Sequence, residues 1–395
     1  MFDPDEVEAE PVEPAEPEAT PLDGRGLKAV MDKAWKRLEA RSRGEERGLP
    51  VPWPALAKVY DDHEPRAVLR PGVHVLIGGT GSGKTQLALA LALEAAHDGH
   101  PVSYVGLELD DVGIGARLAA LEWARIRRAK GLGVQPVERW SVLDWPRTEA
   151  GCDALQRVRD EVADELDKLD GMRVSFAGAR QGFSADDFGR VCKAVRGRSS
   201  RERPGLVVLD FLQLLAPGVV VSADGKEERI NPDDREIRTR IARASYVASD
   251  ATREGDLAVL LVSATARLNY GELTFKVGER AAVENLVGLG KESGEIEYAA
   301  TSVLVIARPG EDEGGMGGLR LVGVAKNRHG KTDWALLGWN GSDFHDAPGE
   351  RLAAAKAKQD AAIAAKEREK SQRGPKGAKE APAAVDADVP KGVTF

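Results

Sequence analysis

Cysteine pairs, long apolar runs and an excess of basic charge are all lacking in this chain. Only two cysteines, Cys152 and Cys192, occur among its 395 residues. They match neither zinc-ligand nor dithiol redox spacing, which excludes a disulfide framework and is typical of the reducing cytoplasm. No apolar stretch approaches the roughly 18 residues that span a bilayer, and the acidic, proline-rich N-terminus is unlike a signal peptide. We therefore expect a cytoplasmic protein that makes no membrane contact.

The formal net charge is −8 at pH 7, which argues against a basic surface over the whole molecule. The charge is unevenly spread. Residues 1–23 hold nine acidic residues and no basic ones, whereas residues 351–395 hold ten basic and six acidic residues. We predict disordered tails at 1–23, which is acidic, and at 349–395, which is rich in Ala and Lys. The tails either recruit a partner or only keep the chain soluble.

Between the tails, the apolar pattern predicts one helix and one larger domain. In residues 24–46, apolar side chains from Leu27 to Leu38 recur every three or four positions, as in an amphipathic helix. Its stripe either folds back on the domain, which the residues alone favour, or docks on a neighbouring subunit. Residues 47–348 alternate strands with helices and end in strands with little helix between them. This order predicts an α/β fold: a mainly parallel, twisted sheet flanked by helices, with an antiparallel C-terminal extension.

The segment from Gly78 to Thr85 reads G-G-T-G-S-G-K-T and fits the phosphate-binding loop G-x-x-x-x-G-K-[ST]. An apolar run precedes it at 73–77 and a helix-forming run follows at 86–93, as that loop requires. Glycines let backbone N–H groups point at phosphate oxygens, Lys84 reaches the β- and γ-phosphates, and Thr85 can bind Mg²⁺. The sequence therefore predicts a site for a nucleoside triphosphate such as ATP, with Mg²⁺. Its candidate residues are Gly78, Gly79, Thr80, Gly81, Ser82, Gly83, Lys84, Thr85 and Gln86.

Two carboxylates at strand ends are candidates for metal binding and catalysis. The apolar strand 205–210 ends at Asp210, whose carboxylate would share Mg²⁺ with Thr85. Glu108 follows the strand 102–107, which we expect beside the strand of the phosphate-binding loop. Glu108 would then face the γ-phosphate and polarise the attacking water. Each carboxylate alternatively only caps a turn or faces solvent.

Lys326 and Arg328 form a pair of cations at the end of the predicted strand 319–326. The pair is either solvated at the surface or reaches a nucleotide bound to an adjacent subunit. In the second interpretation, two copies of the chain complete one hydrolytic site, so that activity depends on assembly.

These motifs, in this order, resemble the RecA-like ATPase domain of the bacterial replicative helicase DnaB over most of residues 26–345. Leu107-Glu108-Leu109 resembles the family's S-L-E-M, whose Glu is the catalytic base. Residues 209–215, L-D-F-L-Q-L-L, resemble I-D-Y-L-Q-L-[MI], and residues 326–328 resemble the K-x-R pair that acts in trans. The resemblance also assigns Arg117 to the nucleotide site.

A further segment resembles the part of the family that contacts DNA. Residues 291–297, K-E-S-G-E-I-E, resemble R-E-S-G-[SA]-I-E, which borders the central channel of a hexameric ring. The resemblance makes Lys291, Glu292 and Gly294 DNA-binding residues, with Arg267 in the same expected pore loop. It implies an ATP-hydrolysing helicase that moves 5′–3′ on single-stranded DNA. Its amphipathic helix would dock on the neighbouring subunit. The charged tails either engage a replication or loading partner or only keep the chain soluble.

Two departures from the family pattern keep other functions open. An acidic tail stands where the family has its primase-binding domain. Ala264 replaces the Gln that senses the γ-phosphate, so Ser263 or Thr265 would have to substitute for it. These departures favour an alternative function, an ATP-switched assembly or loading factor that binds DNA without unwinding it. Residues 326–330, K-N-R-H-G, also resemble the K-N-R-F-G of RadA, a recombination ATPase, although the other motifs favour DnaB.

Overall fold

The computed structural model describes most of the chain between residues 26 and 347. The described residues are 26–60, 69–169, 172–176, 182–221, 228–230, 235–265, 273–275, 283–289, 298–309, 318–347, 349, 357 and 368. The predicted tail 1–23, and the tail 349–395 apart from three of these positions, lie outside them. The chain divides into two units, residues 1–47 and 48–395. None of the described helices is long and apolar enough to cross a membrane.

The first unit contains the helix α1 (Leu27–Ser42), which confirms the predicted helix. None of its residues is buried, and Trp35 in the apolar stripe is 56% exposed. Beyond the helix, Glu46 accepts hydrogen bonds from Arg37 Nε at 2.8 Å and from Arg41 Nε at 2.6 Å. These charge-assisted bonds hold the end of the unit against the last turns of α1.

The second unit is built on one large β-sheet. Its strands and those of a short hairpin are β1 (Gly72–Gly78), β2 (Val102–Gly106), β3 (Met172–Phe176), β4 (Gly205–Asp210), β5 (Val219–Val221), β6 (Glu228–Ile230), β7 (Leu257–Ala264), β8 (Thr274–Phe275), β9 (Ser302–Pro309), β10 (Leu319–Asn327), β11 (Asp333–Trp339) and β12 (Phe344–Asp346). The large sheet has the order β3-β2-β4-β7-β1-β9-β10-β11-β12, with β8 beside β9, and β5 and β6 form the hairpin. The strands from β3 to β9 in this order are parallel, and β10, β11 and β12 are antiparallel. The predicted α/β fold with an antiparallel C-terminal extension is thus confirmed.

Helices cover both faces of this sheet. They are α2 (Pro54–Tyr60), α3 (Lys84–His97), α4 (Asp111–Ala129), α5 (Trp140–Leu143), α6 (Glu149–Asp167), α7 (Ala185–Arg196) and α8 (Ile237–Ala251). Along β4, Leu206 and Val208 pack in the cluster that includes α3, whereas Val207 and Leu209 pack in the cluster that includes α7 and α8. Side chains of a strand alternate between faces, so a parallel strand covered on both faces reads as a continuous apolar run. Ser184 caps α7, as predicted.

The position of β2 differs from the prediction. We expected β2 beside β1, but β2 pairs with β4 and β3, so that β7 and β4 separate it from β1. The prediction was wrong because nothing local in a sequence determines how many strands a crossover passes. The carboxyl ends of β1, β2 and β4 nevertheless share one edge, and the Leu107 N–H donates to the Asp210 carbonyl at 2.7 Å. The residues that follow β2 and β4 therefore lie together.

Candidate functional site

The loop between β1 and α3 carries the predicted phosphate-binding motif. It leaves the sheet at Gly78 and becomes helical at Lys84. Gly81 and Gly83 have positive φ angles of 70° and 102°, which residues with a Cβ rarely adopt. A Cβ at Gly83 would also lie 2.9 Å from the ring of Phe344. Glycine here lets the loop curl over the N-terminus of α3, where backbone N–H groups and the helix dipole favour an anion.

Two polar side chains of this loop fit a bound phosphate. Lys84 Nζ donates to the carbonyls of Gly78 and Gly79 at 2.8 and 3.1 Å, so that the ammonium group lies over the loop. Ser82 is 1% exposed, and its hydroxyl has no hydrogen-bond partner among the described residues. A buried hydroxyl without a partner is costly unless a ligand supplies one. The loop therefore fits the triphosphate of ATP.

Thr85 and Asp210 supply oxygen atoms that suit Mg²⁺. Asp210 ends β4, is 4% exposed, and accepts hydrogen bonds from the Thr85 hydroxyl and from Tyr104 Oη, the latter at 2.6 Å. Burial raises the pKa of Asp210, and these two hydrogen bonds oppose that rise. Mg²⁺ is a hard cation that binds carboxylate and hydroxyl oxygens. The two side chains therefore fit the predicted metal role.

Glu108 lies at the same edge of the sheet, two residues after the end of β2. As a whole residue Glu108 is exposed, but its carboxyl group is partly buried. This burial, and to a smaller extent the charge of Asp210, raises the pKa of Glu108 above the ordinary glutamate value. The charges of Lys84 and Arg117 act on this pKa in the opposite direction. Both cations are therefore within electrostatic range of Glu108. A carboxylate with a raised pKa is the better proton acceptor.

Arg117 reaches these residues from α4. Its guanidinium carbon lies 3.6 Å from the centroid of the Trp140 ring, and its Nη1 donates to the Gly113 carbonyl at 2.7 Å. Its charge also opposes the rise in the pKa of Asp210. The predicted site residues that the structure brings to this edge are Lys84, Thr85, Glu108, Asp210 and Arg117.

Lys326 and Arg328 do not join this group. They flank the end of β10, which pairs with Ser302 at the start of β9. Gly78, where the phosphate-binding loop begins, pairs with Ile306 further along β9. The intervening strand is about 13 Å long at the rise of an extended chain. The two cations therefore lie toward the opposite edge of the sheet from the loop of their own chain.

The predicted DNA-binding residues are Arg267, Lys291, Glu292 and Gly294, and all four lie outside the described residues. Their role stays a prediction.

Ala264, which stands where the family pattern has Gln, lies at the end of β7. The Ala264 N–H donates to Gln213 Oε1 at 3.2 Å, and Gln213 Nε2 donates to Ser263 Oγ at 2.9 Å. The Thr265 hydroxyl is buried and has no hydrogen-bond partner among the described residues. The carboxamide of Gln213 thus lies beside the end of β7. It comes from the segment after β4, not from position 264.

Sequence reasoning missed three side chains beside the site. Tyr104 reads as one more residue of an apolar strand, and Trp140 belongs to no motif. Arg308 at the end of β9 has its Nη1 3.9 Å from where a Cβ of Gly81 would lie. Tyr104 comes to the site through its hydrogen bond to Asp210, a contact 106 residues apart in the chain. Trp140 and Arg308 come to the site by tertiary contacts alone.

Known proteins match this chain at the level of family and fold. The family model described as "DnaB-like helicase C terminal domain" matches residues 68–345. A structure described as a DnaB-like replicative helicase and its interactions with primase has a TM-score of 0.57 at 17% identity, covering 82% of this chain and 68% of that one. A second structure, described as an ATPase domain, has a TM-score of 0.55 at 17% identity, covering 82% of this chain and 100% of that one. None of the curated proteins searched matches.

At such identities the structural likeness shows the fold, and the family model carries the assignment, because it spans most of the chain. Its range includes the phosphate-binding loop, Glu108, Asp210 and the cation pair. The chain therefore has a RecA-like fold and belongs to the family of the DnaB-like helicase C-terminal domain.

Proposed function

We propose that this chain is an ATP-driven DNA helicase that forms a ring and moves 5′–3′ along single-stranded DNA in the cytoplasm. ATP and Mg²⁺ bind between two subunits of a homo-oligomer, a hexamer by resemblance. One observation carries the proposal: the phosphate-binding loop and the cation pair Lys326 and Arg328 lie toward opposite edges of the sheet. Cations so far from the nucleotide of their own chain serve the nucleotide of the next subunit in this proposal.

Each residue of the site has a role in hydrolysis. Glu108 accepts a proton from the attacking water, a role that its raised pKa supports. Lys84 holds β- and γ-phosphate oxygens, and Thr85 and Asp210 hold the metal ion. Mg²⁺, when bound, neutralises charge on the phosphates. The cation pair of the neighbouring subunit stabilises the charge that develops on the γ-phosphate.

The exposed apolar stripe of α1 supports assembly. An isolated amphipathic helix gains most of its stability by covering its apolar face. We propose that α1 docks on a neighbouring subunit and that the tails engage a replication or loading partner. The residues proposed to contact DNA in the channel are Arg267, Lys291, Glu292 and Gly294.

Mixed assemblies test the shared site. Glu108→Gln removes the proton acceptor and Arg328→Ala removes a cation, so each variant alone should lose at least about 100-fold in ATP turnover. Mixing the two variants rebuilds interfaces in which Glu108 of one subunit faces Arg328 of the next. Steady-state turnover of the mixture with single-stranded DNA should therefore exceed that of either variant alone.

The matched control mixes Glu108→Gln with the double variant Glu108→Gln/Arg328→Ala, which leaves no interface with both groups. Turnover of this control mixture should stay low at every ratio. If the first mixture is no more active than the control, although its subunits exchange, the proposal of a shared site is wrong.

One observation, Ala264, favours a second function. Alanine offers no side-chain hydrogen bond to a phosphate, and the carboxamide beside it belongs to Gln213. A loading factor that binds DNA in response to ATP, without unwinding, needs less coupling between nucleotide and DNA. A strand-displacement assay on a tailed duplex separates the two functions. ATP turnover stimulated by single strands, with no displacement of the duplex, would favour the loading factor.

A further inference from the structure

Trp140 lies at the rim of the nucleotide site, where its ring contacts Arg117. The guanidinium carbon lies 3.6 Å from the ring centroid, a distance at which a cation is attracted by the indole face. The bond from Arg117 Nη1 to the Gly113 carbonyl stays within the same helix, α4. Trp140 therefore contacts Arg117 from outside its own helix, and the charge of Asp144 also attracts the Arg117 guanidinium.

Trp140 is itself held by the turn between β11 and β12. Its backbone N–H donates to the Ser342 hydroxyl at 3.0 Å, and its Nε1 donates to the Gly341 carbonyl at 3.1 Å. The turn is braced from within, because Asn340 Oδ1 accepts the backbone N–H groups of Ser342 and Asp343 at 2.9 and 2.8 Å. Both nitrogen donors of Trp140 are thus bound to a braced turn, which determines the plane of the ring.

The same turn contacts the helix of the phosphate-binding loop. Gln86 in the first turn of α3 donates its Nε2 to the Ser342 carbonyl. Gln86 is 4% exposed and Ser342 is 1% exposed, so water competes little for this bond. The turn therefore links the phosphate-binding loop to Trp140, and through Trp140 to Arg117.

We propose that Trp140 is a positioning residue of the nucleotide site: clamped by the turn 340–343, it holds the Arg117 guanidinium toward the nucleotide. The inference rests on the proposed function only in taking ATP as the ligand. The charge of Arg117 acts on both Glu108 and Asp210, so the guanidinium is in range of the hydrolytic centre. Without the ring, the long Arg117 side chain gains rotamer freedom. Nucleotide binding would then have to order it again, which weakens affinity.

Nucleotide affinity of the full-length chain tests the inference, with N-methylanthraniloyl-ATP as the fluorescent probe. Trp140→Ala should weaken binding about tenfold, as expected for a partly desolvated cation–π contact. Trp140→Phe keeps an aromatic face but loses the Nε1 bond to the Gly341 carbonyl, so its loss of affinity should lie between none and that of Trp140→Ala. Trp145→Ala is the matched control and should bind as the wild type does, because Trp145 is 68% exposed on the same segment.

A double-variant cycle separates positioning from a purely structural role. If Trp140 acts through Arg117, Trp140→Ala should add nothing to the loss caused by Arg117→Ala. Arg117→Lys keeps the charge but not the planar stack, so it should lose about as much affinity as Trp140→Ala. This variant keeps the test decisive even where the Trp140→Ala chain fails to fold.

Three outcomes would overturn the inference: wild-type affinity in Trp140→Ala, additive losses in the cycle, or wild-type affinity in Arg117→Lys. A wild-type chain that does not bind the probe would instead overturn the proposed function. The two failures are therefore distinguishable.

Discussion

At the residue scale, the two carboxylates of the site differ in burial. Asp210 is 4% exposed and receives hydrogen bonds from Tyr104 and Thr85. Glu108 is exposed and feels mainly partial desolvation and the charge of Asp210. A fixed carboxylate suits a metal ligand, and an accessible carboxylate with a raised pKa suits a proton acceptor.

The raised pKa of Glu108 predicts the pH dependence of ATP turnover. Glu108 accepts a proton only when ionised, so turnover should fall as the pH falls through its raised pKa. The midpoint should lie above the ordinary value of 4.5. Turnover at saturating ATP, measured from about pH 8 downward, checks this. Glu108→Gln should turn over ATP at least about 100-fold more slowly than the wild type, and its turnover should lack this acidic decline. A wild-type midpoint at or below 4.5 would contradict the assignment.

Tyr104→Phe tests the hydrogen bond to Asp210. The substitution keeps the ring but removes a donor 2.6 Å from a buried carboxylate oxygen. We expect the free energy of unfolding at neutral pH to fall by about 2 kcal/mol, as for other hydrogen bonds to charged groups. Urea unfolding measures this change. Tyr246→Phe is the control, because Tyr246 is 68% exposed. Equal stability of the two variants would mean that the bond to Asp210 contributes nothing.

At the element scale, the phosphate-binding loop depends on glycine at the start of α3. Gly83→Ala would place a Cβ 2.9 Å from Phe344 at a φ of 102°. The left-handed conformation alone costs an alanine about 1–2 kcal/mol, so we expect lower stability and loss of nucleotide binding. Thermal unfolding and nucleotide titration measure both effects.

Gly115→Ala is the matched control for this element. Gly115 lies in α4 with nothing within 4 Å of an added Cβ. Alanine should stabilise that helix by up to about 1 kcal/mol and leave nucleotide binding unchanged. A Gly83→Ala chain that binds nucleotide as well as Gly115→Ala does would refute the role given to the loop conformation.

The helices and strands themselves were largely predictable from the sequence, but which strands lie beside each other in the sheet was not. The strand, loop and helix around Gly78–Thr85 follow from composition within about twenty residues. The cap at Ser184 follows from the residues next to it. The place of β2 was mispredicted, because strand order depends on which crossovers bury the most apolar surface over the whole domain.

At the scale of the whole molecule, the exposed stripe of α1 should respond to assembly. Trp35 is 56% exposed in the chain, so Trp35→Glu should leave the unfolding of the chain nearly unchanged. If α1 docks on a neighbour, the substitution buries an unpaired charge there and should shift the oligomer toward smaller species. Light scattering over a range of concentrations measures the shift.

Glu39→Gln, an exposed position on the same helix, is the control for this substitution and should assemble as the wild type does. An unchanged oligomer in Trp35→Glu would refute docking through the stripe.

Local sequence was enough to predict the phosphate-binding loop, the carboxylates at strand ends and the alternation of strands with helices. Each depends on residues close together in the chain. Three other features depend on contacts between distant parts of the chain: which strands separate β1 from β2, how far Lys326 and Arg328 lie from their own loop, and the stacking of Arg117 on Trp140. The bond that holds Trp140 joins residues 202 positions apart. Such pairings are selected by burial and hydrogen bonding across the whole domain, which no local pattern records.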